Sequence, residues 1–365
     1  MAKLISLAQP SITDREIASV LAALQSGWVS SAGPSIPEFE AAFARYIGTR
    51  YAVAVASGTV ALHLALECLG VGSGDEVIVP DLTFVATANA VTYTGAAPVF
   101  ADVEPRTFCI DPESVRRNLT HRTRAVIPVH LYGHPAELES LQRVVAPLGI
   151  PVIEDASQAH GALYRGRKAG SIGVEGIFSF YGNKILTTGE GGMLVTDRED
   201  LYQTARLLRG HAMTEDKTYW HTRIGFNYQM SNLQAALGLA QLARIEELLA
   251  RRSQVLTWYR RLLEGVADLE LNPAADYAQP VCWMVCLLLG AAHGARRNEI
   301  QKHLASSGVE SRPFFHPLSS LPFYGGVSVA PRAREIAARG LLLPSSPCLT
   351  LEEVEHVTAA LRAAL

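Results

Sequence analysis

Lys184 closes the stretch Phe178-Ser-Phe-Tyr-Gly-Asn-Lys184, just past an apolar run, and precedes the glycine-rich Thr187-Thr-Gly-Glu-Gly-Gly192. A lysine is ordinarily a solvated surface residue, and taken alone Lys184 reads that way. A lysine drawn partly out of water has a lowered pKa and can attack a carbonyl to form a Schiff base. Asp155 closes Val152-Ile-Glu-Asp155. A carboxylate there can pair with a cationic ring nitrogen or a metal, or it can cap the segment that follows. Ser57-Gly58-Thr59 sits between a strand pattern and a helix pattern. Glycine lets a backbone approach a ligand closely, and a helix N-terminus offers free N–H groups to an anion. Ser57 is equally explained as an N-cap. In this order the three features supply what pyridoxal phosphate needs. They give a seat for its phosphate, an acid that keeps its pyridine nitrogen protonated, and an amine for its aldehyde.

The surrounding pattern predicts the elements that must position these groups. Tyr51–Val55, Glu76–Val79, Pro98–Asp102, Ala125–Val129 and Val152–Asp155 read as strands. Thr59–Leu69, Thr87–Tyr93 and Leu138–Leu148 read as helices between them. Strands separated by helices imply a mainly parallel sheet covered on both faces, with ligands beyond the carboxyl ends of the strands. Gly176–Phe180 and Gly192–Thr196 flank a polar loop too short for a helix, so an antiparallel pairing is expected there. Asn232–Arg260 reads as one long helix. A second unit follows, with a strand over Val281–Leu289, a helix over Arg297–Ser306, an extended Glu310–Phe314 and a terminal helix over Glu352–Leu365. The expected division is a large unit over 1–245, N-terminal segment included, and a small C-terminal unit over 246–365.

Longer phrases carry a resemblance over nearly the whole chain. They are Ser26-Gly-Trp-Val-Ser-Ser31, Ala56-Ser-Gly-Thr-Val-Ala-Leu-His63, Pro80-Asp-Leu-Thr-Phe-Val-Ala-Thr87, Glu154-Asp-Ala-Ser-Gln-Ala-His-Gly161, Ser179-Phe-Tyr-Gly-Asn-Lys184 and Gly225-Phe-Asn-Tyr-Gln-Met-Ser-Asn232. With them the chain resembles the DegT/DnrJ/EryC1/StrS family of sugar aminotransferases. The resemblance implies an α/β, aspartate-aminotransferase-like (fold type I) enzyme dependent on pyridoxal 5'-phosphate. It would have a large, mainly parallel mixed sheet and a smaller C-terminal α+β domain. Phe180–Met193, Tyr219-Trp-His221 and Ser311-Arg-Pro-Phe314 look most like members that aminate carbon 4 of GDP-4-dehydro-6-deoxy-D-mannose.

Roles follow from the resemblance residue by residue. Lys184 would hold the cofactor's aldehyde and then shuttle a proton, and Asp155 would pair with the pyridinium nitrogen. Gln158 would contact the phenolic oxygen, and Phe84 would stack on the ring face. Gly58, Thr59 and Ser179 would bind the phosphate. Asn227 would reach the phosphate of a neighbouring subunit, which implies a homodimer with a shared active site. The substrates would be L-glutamate and a nucleotide-linked keto sugar. Ser31, His221 and His316 lie in matching segments as substrate candidates, while His316 is equally read as a structural histidine. Arg223 and Arg312 could bind glutamate's carboxylate bidentately or be plain surface charges. The alternatives are a C3 or C4 aminotransferase for another GDP-, UDP- or dTDP-keto sugar, and a non-catalytic regulatory protein of the same fold. The family's sugar dehydratases carry histidine where Lys184 sits.

Composition bounds the rest. The chain has 365 residues, 48% of them hydrophobic and 18% charged, so a large packed core is available. Lys plus Arg number 32 against 35 Asp plus Glu, a net charge of -3, which argues against a generic nucleic-acid surface. The apolar run Val281–Ala292 is too short to span a bilayer. Met1–Pro10 lacks the apolar core and cleavage site of a secretory leader. Five scattered cysteines suit a reducing cytoplasm. Cys282 and Cys286 are expected in one strand, sharing a buried face, with no second pair to make a zinc site. Gly70-Val-Gly-Ser-Gly74 follows a helix and precedes a strand, so it reads as a helix stop and turn and not as a dinucleotide loop. His130 and His134 show no evident acidic partner in the sequence.

Overall fold

The apolar runs between residues 51 and 196 form the central wall of the computed structural model, which describes residues 4–214 and 216–365. The first three residues of the expected large unit, and of the stretch read for a leader, lie outside the described residues. Helices α1 (Asp14–Gln25) and α2 (Ser35–Ile47) precede β1 (Tyr51–Val55), α3 (Gly58–Cys68), β2 (Glu76–Pro80), α4 (Ala86–Tyr93) and β3 (Ala97–Ala101). Then come α5 (Pro112–Asn118), β4 (Thr123–Val126), α6 (Leu138–Val145), β5 (Ile153–Asp155), β6 (Leu163–Tyr164) and β7 (Arg167–Lys168). Next are β8 (Glu175–Ser179), β9 (Gly192–Thr196), α7 (Glu199–Arg209), α8 (Asn232–Leu242), α9 (Ile245–Leu262), β10 (Leu269–Leu271) and β11 (Ala278–Gln279). The chain ends with β12 (Val285–Leu289), α10 (Arg297–Ser306), β13 (Arg312–Pro313), α11 (Pro331–Arg339), β14 (Gly340–Leu343) and α12 (Leu351–Ala364).

β2 pairs in parallel with β3 and β4, and β5 in parallel with β8. Parallel bridges Val126–Val152 and Val129–Asp155 join the two groups. β9 runs antiparallel between β8 and β1, as the short polar loop demands. The wall is therefore mixed and mainly parallel, in the order β3-β2-β4-β5-β8-β9-β1. Its alternation is plain in β1. Ala52 and Ala54 face Phe39 and Phe43 of α2, whereas Val53 and Val55 face the α3 side with Leu62 and Leu66. β2 and β9 are buried along their whole length, which fits strands covered on both faces.

The C-terminal sheet is antiparallel, in the order β10-β12-β14-β13. Val255 and Tyr259 of α9, Ile300 and Leu304 of α10, and Val354, Val357 and Leu361 of α12 cover it. The N-terminal segment also crosses this unit, with Ile5 bridging Val309 in parallel. Two carboxylates of the large sheet bind the C-terminal unit. Asp81 accepts from the Ser319 N–H (2.7 Å) and hydroxyl (2.8 Å). Asp102 accepts from the Arg332 (3.2 Å) and Ala333 (2.9 Å) N–H groups at the start of α11.

Three expectations need correction. The long helix is two, α8 and α9, parted at Ala243–Arg244. The break is held by the Arg244 guanidinium, which reaches Glu16 (2.8 Å) and Glu247 (2.7 Å). The strand expected over Val281–Leu289 begins only at Val285. Cys282 consequently lies before the strand that holds Cys286, although both are buried and line one cavity. The Gly70–Gly74 segment is a helix stop and turn, with Gly70 at φ 70°. Among the described residues no helix is long and apolar enough to cross a membrane.

Candidate active site

The loop after β8 is pinned at its neck. The Phe180 N–H donates to the Gly191 carbonyl (2.9 Å) and the Thr188 N–H to the Phe180 carbonyl (2.9 Å). Inside this neck the Lys184 N–H donates to the Tyr181 carbonyl (2.9 Å), leaving the lysine partly buried against the C-terminal unit. Burial pushes its amine down to about 8, with the Asp155 carboxylate pulling the other way. An ordinary lysine, near 10.4, is almost wholly charged at neutral pH, whereas this one has an appreciable neutral fraction.

Asp155 ends β5, buried, with its backbone fixed on both sides. Its N–H donates to the Pro128 carbonyl (2.9 Å), and its carbonyl accepts from the His130 N–H (3.0 Å). The Thr87 hydroxyl donates to Oδ2 (3.0 Å) and the Ser157 N–H to Oδ1 (3.1 Å). The capping reading is thus met locally, yet a carboxylate has further lone pairs, and a third partner can be accommodated. Gln158 is buried, and its Oε1 accepts from the Tyr132 N–H (2.7 Å). That donor must face oxygen, so the amide orientation is settled and the Nε2 hydrogens are left to donate elsewhere.

Ser57 caps α3, its Oγ accepting from the Val60 N–H (3.3 Å). The N–H groups of Gly58 and Thr59 open the helix at its positive end. A Cβ added to Gly58 would stand 2.8 Å from the Ser179 Cβ, so only glycine lets α3 begin flush against the end of β8. The Ser179 hydroxyl is thereby brought beside the helix start. Phe84 follows β2 with half of its surface exposed, its ring centroid 5.7 Å from that of Phe315. Phe315 stacks on Tyr132 (5.5 Å), and Tyr132 stacks on Trp283 (6.1 Å). Lys184 Nζ lies 4.0 Å from the Trp283 ring centroid.

The other candidates are all exposed. Asn227 is exposed, bridged to Gly210, in a segment laid against β1 by the hydrogen bond from the Ala56 N–H to the Tyr228 carbonyl (2.8 Å). Ser31 and His316 are exposed, and His316 adjoins Phe315 at the rim. His221 is exposed and its Nδ1 lies 2.8 Å from the His211 carbonyl. Arg223 is exposed, and Arg312 is exposed but already paired with Glu310 (2.9 Å). One reading is overturned, because His130 does have an acidic partner. Its Nε2 lies 2.9 Å from Glu154 Oε2 in a fully buried pair. Burial alone would raise the Glu154 pKa, but His130 and the Gly170 and Gly173 N–H groups together hold it below the usual carboxylate value. His134 is structural, donating or accepting only to backbone at Pro135 and Ala275, and burial lowers it to about 4.

Several groups around the site were not singled out by sequence reasoning, namely Thr87, Trp283 and Arg252. Arg252 is fully buried and donates to the carbonyls of Trp283 (2.7 Å), Ser345 (3.1 Å) and Lys184 (3.1 Å). It had a visible signal, since it interrupts the apolar stripe Ile245, Leu248, Val255, Tyr259 on one face of α9. Thr87 and Trp283 had none, because their partners are remote in sequence.

This donor set fits pyridoxal phosphate. A helix start cleared by Gly58 suits a phosphate, a buried carboxylate with spare acceptor capacity suits a pyridinium, an oriented amide suits a phenolate, and a desolvated amine suits an aldehyde. Comparison with known proteins agrees. Residues 10–362 match the DegT/DnrJ/EryC1/StrS aminotransferase family. The chain is 45% identical over 360 residues to a GDP-perosamine synthase of Caulobacter vibrioides, covering 98% of this chain and 97% of that one. It is 39% identical over 356 residues to a GDP-perosamine synthase of Escherichia coli O157:H7, covering 97% of each. A putative sugar aminotransferase from Streptococcus pneumoniae, solved in its PLP form, superposes with a TM-score of 0.94 at 30% identity, covering 99% of this chain and 100% of that one. The chain belongs to the DegT/DnrJ/EryC1/StrS aminotransferase family and is an aminotransferase dependent on pyridoxal 5'-phosphate.

Proposed function

We propose that the chain transfers the amino group of L-glutamate to carbon 4 of GDP-4-dehydro-6-deoxy-D-mannose, yielding GDP-perosamine. The observation that carries this reading is full-length 45% identity to a GDP-perosamine synthase, joined to a complete Asp155–Gln158–Lys184 set. In this reading Gly58, Thr59 and Ser179 hold the cofactor's phosphate through helix N–H groups and hydroxyls. Phe84 covers one face of the ring. Gln158 Nε2 donates to the ring oxygen. Asp155 keeps a proton on the ring nitrogen, and the Thr87 hydroxyl keeps Asp155 aimed. Bound there, pyridoxal phosphate supplies the aldehyde that carries the amino group and the cationic ring that takes up the electron pair released at the amino carbon. Lys184 Nζ, neutral in appreciable fraction, takes the proton from glutamate's α-carbon and later returns one to carbon 4 of the sugar.

The reading also assigns Asn227 to the phosphate seat of a second copy, in a homodimer with shared sites. Support comes from its exposure and from large apolar side chains near it in sequence. Tyr219 is 85% exposed and Ile224 90%, more than a lone subunit would leave in water. Ser31, His221 and His316 would contact the sugar nucleotide. The large unit 1–245 would carry the cofactor, and the small unit 246–365 would close the site with Trp283 and Phe315. Five free cysteines suit the cytoplasm. The test offers GDP-, UDP- and dTDP-linked keto sugars with L-glutamate and identifies products by mass spectrometry and NMR. Amination of the GDP-linked 4-keto sugar alone is expected. Preference for a UDP or dTDP sugar, or amination at carbon 3, would overturn the substrate.

A further inference from the structure

Two side chains grip Lys184 and its loop from the C-terminal side of the chain, Trp283 and Arg252. The Trp283 ring lies under its amine at 4.0 Å and is itself only 3% exposed. The indole N–H donates to the Asn183 carbonyl (2.9 Å), so the ring is fastened to the residue just before the lysine. Arg252 closes the bracket, donating at once to the Trp283 and Lys184 carbonyls. Tyr132 is stacked on Trp283 within 21° of parallel.

We propose that Trp283 is a positioning residue whose indole face seats the Lys184 amine when it is not joined to the cofactor, and holds it most tightly once it has taken up a proton. The proposal rests on the reading of Lys184 as the reactive amine. An aromatic face attracts a cation through its quadrupole, most strongly for tryptophan and most strongly where water is excluded. Transamination frees the lysine in every half-reaction, and a freed amine needs a place from which it can return. Trp283 supplies one that is rigid and carries no hydrogen-bond acceptor to compete for the proton. The other charged groups around Lys184 are few. Asp155 attracts the ammonium from β5. His160, fully buried two residues past Gln158, is held neutral by burial, which lowers it to about 3. Arg252 is cationic and faces the loop's carbonyls from α9. Burial thus disfavours the ammonium, while Asp155 favours it and the indole face adds to that.

The test reads the lysine itself. In full-length cofactor-free protein, amines are labelled competitively across neutral to alkaline pH, and peptide mass spectrometry gives the midpoint at which Lys184 becomes reactive. That midpoint is expected near 8 in the native chain. Trp283→Leu should lower it by about one pH unit, and Trp283→Phe by less, because a weaker aromatic face remains. Fluorinated tryptophans, which drain the ring face of negative charge at nearly constant shape, should lower it stepwise with fluorine count. They serve where Trp283→Leu fails to fold. A midpoint unmoved by fluorination, or unmoved in a folded Trp283→Leu protein, overturns the proposal. The underlying reading fails separately, if a Lys184→Ala enzyme still aminates its sugar.

Discussion

In the proposed reading the strand-end carboxylate serves only while it points at the ring nitrogen, and one hydroxyl from α4 would hold it there. Thr87 is buried and its Oγ–H to Asp155 Oδ2 is a hydrogen bond to a charged acceptor, a stronger kind than one between neutral groups. Thr87→Val keeps the shape and removes the donor. It should lower kcat about ten- to hundredfold with KM for glutamate nearly unchanged, since the lost interaction aims a proton-holding group without touching substrate. Thr87→Ser should recover most of the rate. A Thr87→Val enzyme with native kcat would show that the hydroxyl only fills space. Lys184 and Asp155 stood out in the sequence because their order and flanking strands match what one cofactor needs. Thr87 was not, since a contact between a helix and a strand 68 residues apart leaves no periodic trace.

Among the elements, the strands were the most readable, because β-branched runs bounded by glycine, proline and polar turns have few other uses. The break between α8 and α9 was not readable, because Ala- and Leu-rich sequence continues across it. The decisive contact is Arg244 with Glu16, 228 residues away. The end of β5 holds a similar hidden device. Glu154 accepts from the N–H groups of Gly170 (2.8 Å), Ile172 (2.6 Å) and Gly173 (2.6 Å) and pairs with His130, so it fixes the turn before β8 to the strand that carries Asp155. Glu154→Ala would strand all these donors in the interior, and should cost about 3–5 kcal/mol of stability in urea unfolding. A loss under about 1 kcal/mol would mean that the turn finds other partners. The dinucleotide-loop alternative at Gly70–Gly74 fails at this same scale, since the segment ends a helix and does not open one.

Across the whole molecule, a net charge of -3 argues against a broad nucleic-acid surface and says nothing of the nucleotide diphosphate that the proposed substrate carries. Nor could it speak to the second subunit that the proposed reading requires. If Asn227 completes the partner's site, mixing inactive Lys184→Ala and Asn227→Ala proteins restores activity. Random exchange makes half the dimers hybrid, each with one intact site, so about one quarter of native activity should return. No recovery after verified exchange would put Asn227 in its own subunit's site, or outside the chemistry. The central claim is the transfer itself, and it is tested most directly by following nitrogen. The enzyme is given 15N-labelled L-glutamate and GDP-4-dehydro-6-deoxy-D-mannose, and the product is examined by NMR. The label is predicted on carbon 4 of the sugar with the native chain and nowhere with Lys184→Ala. Unlabelled sugar from the native enzyme, or labelled sugar from Lys184→Ala, would contradict it.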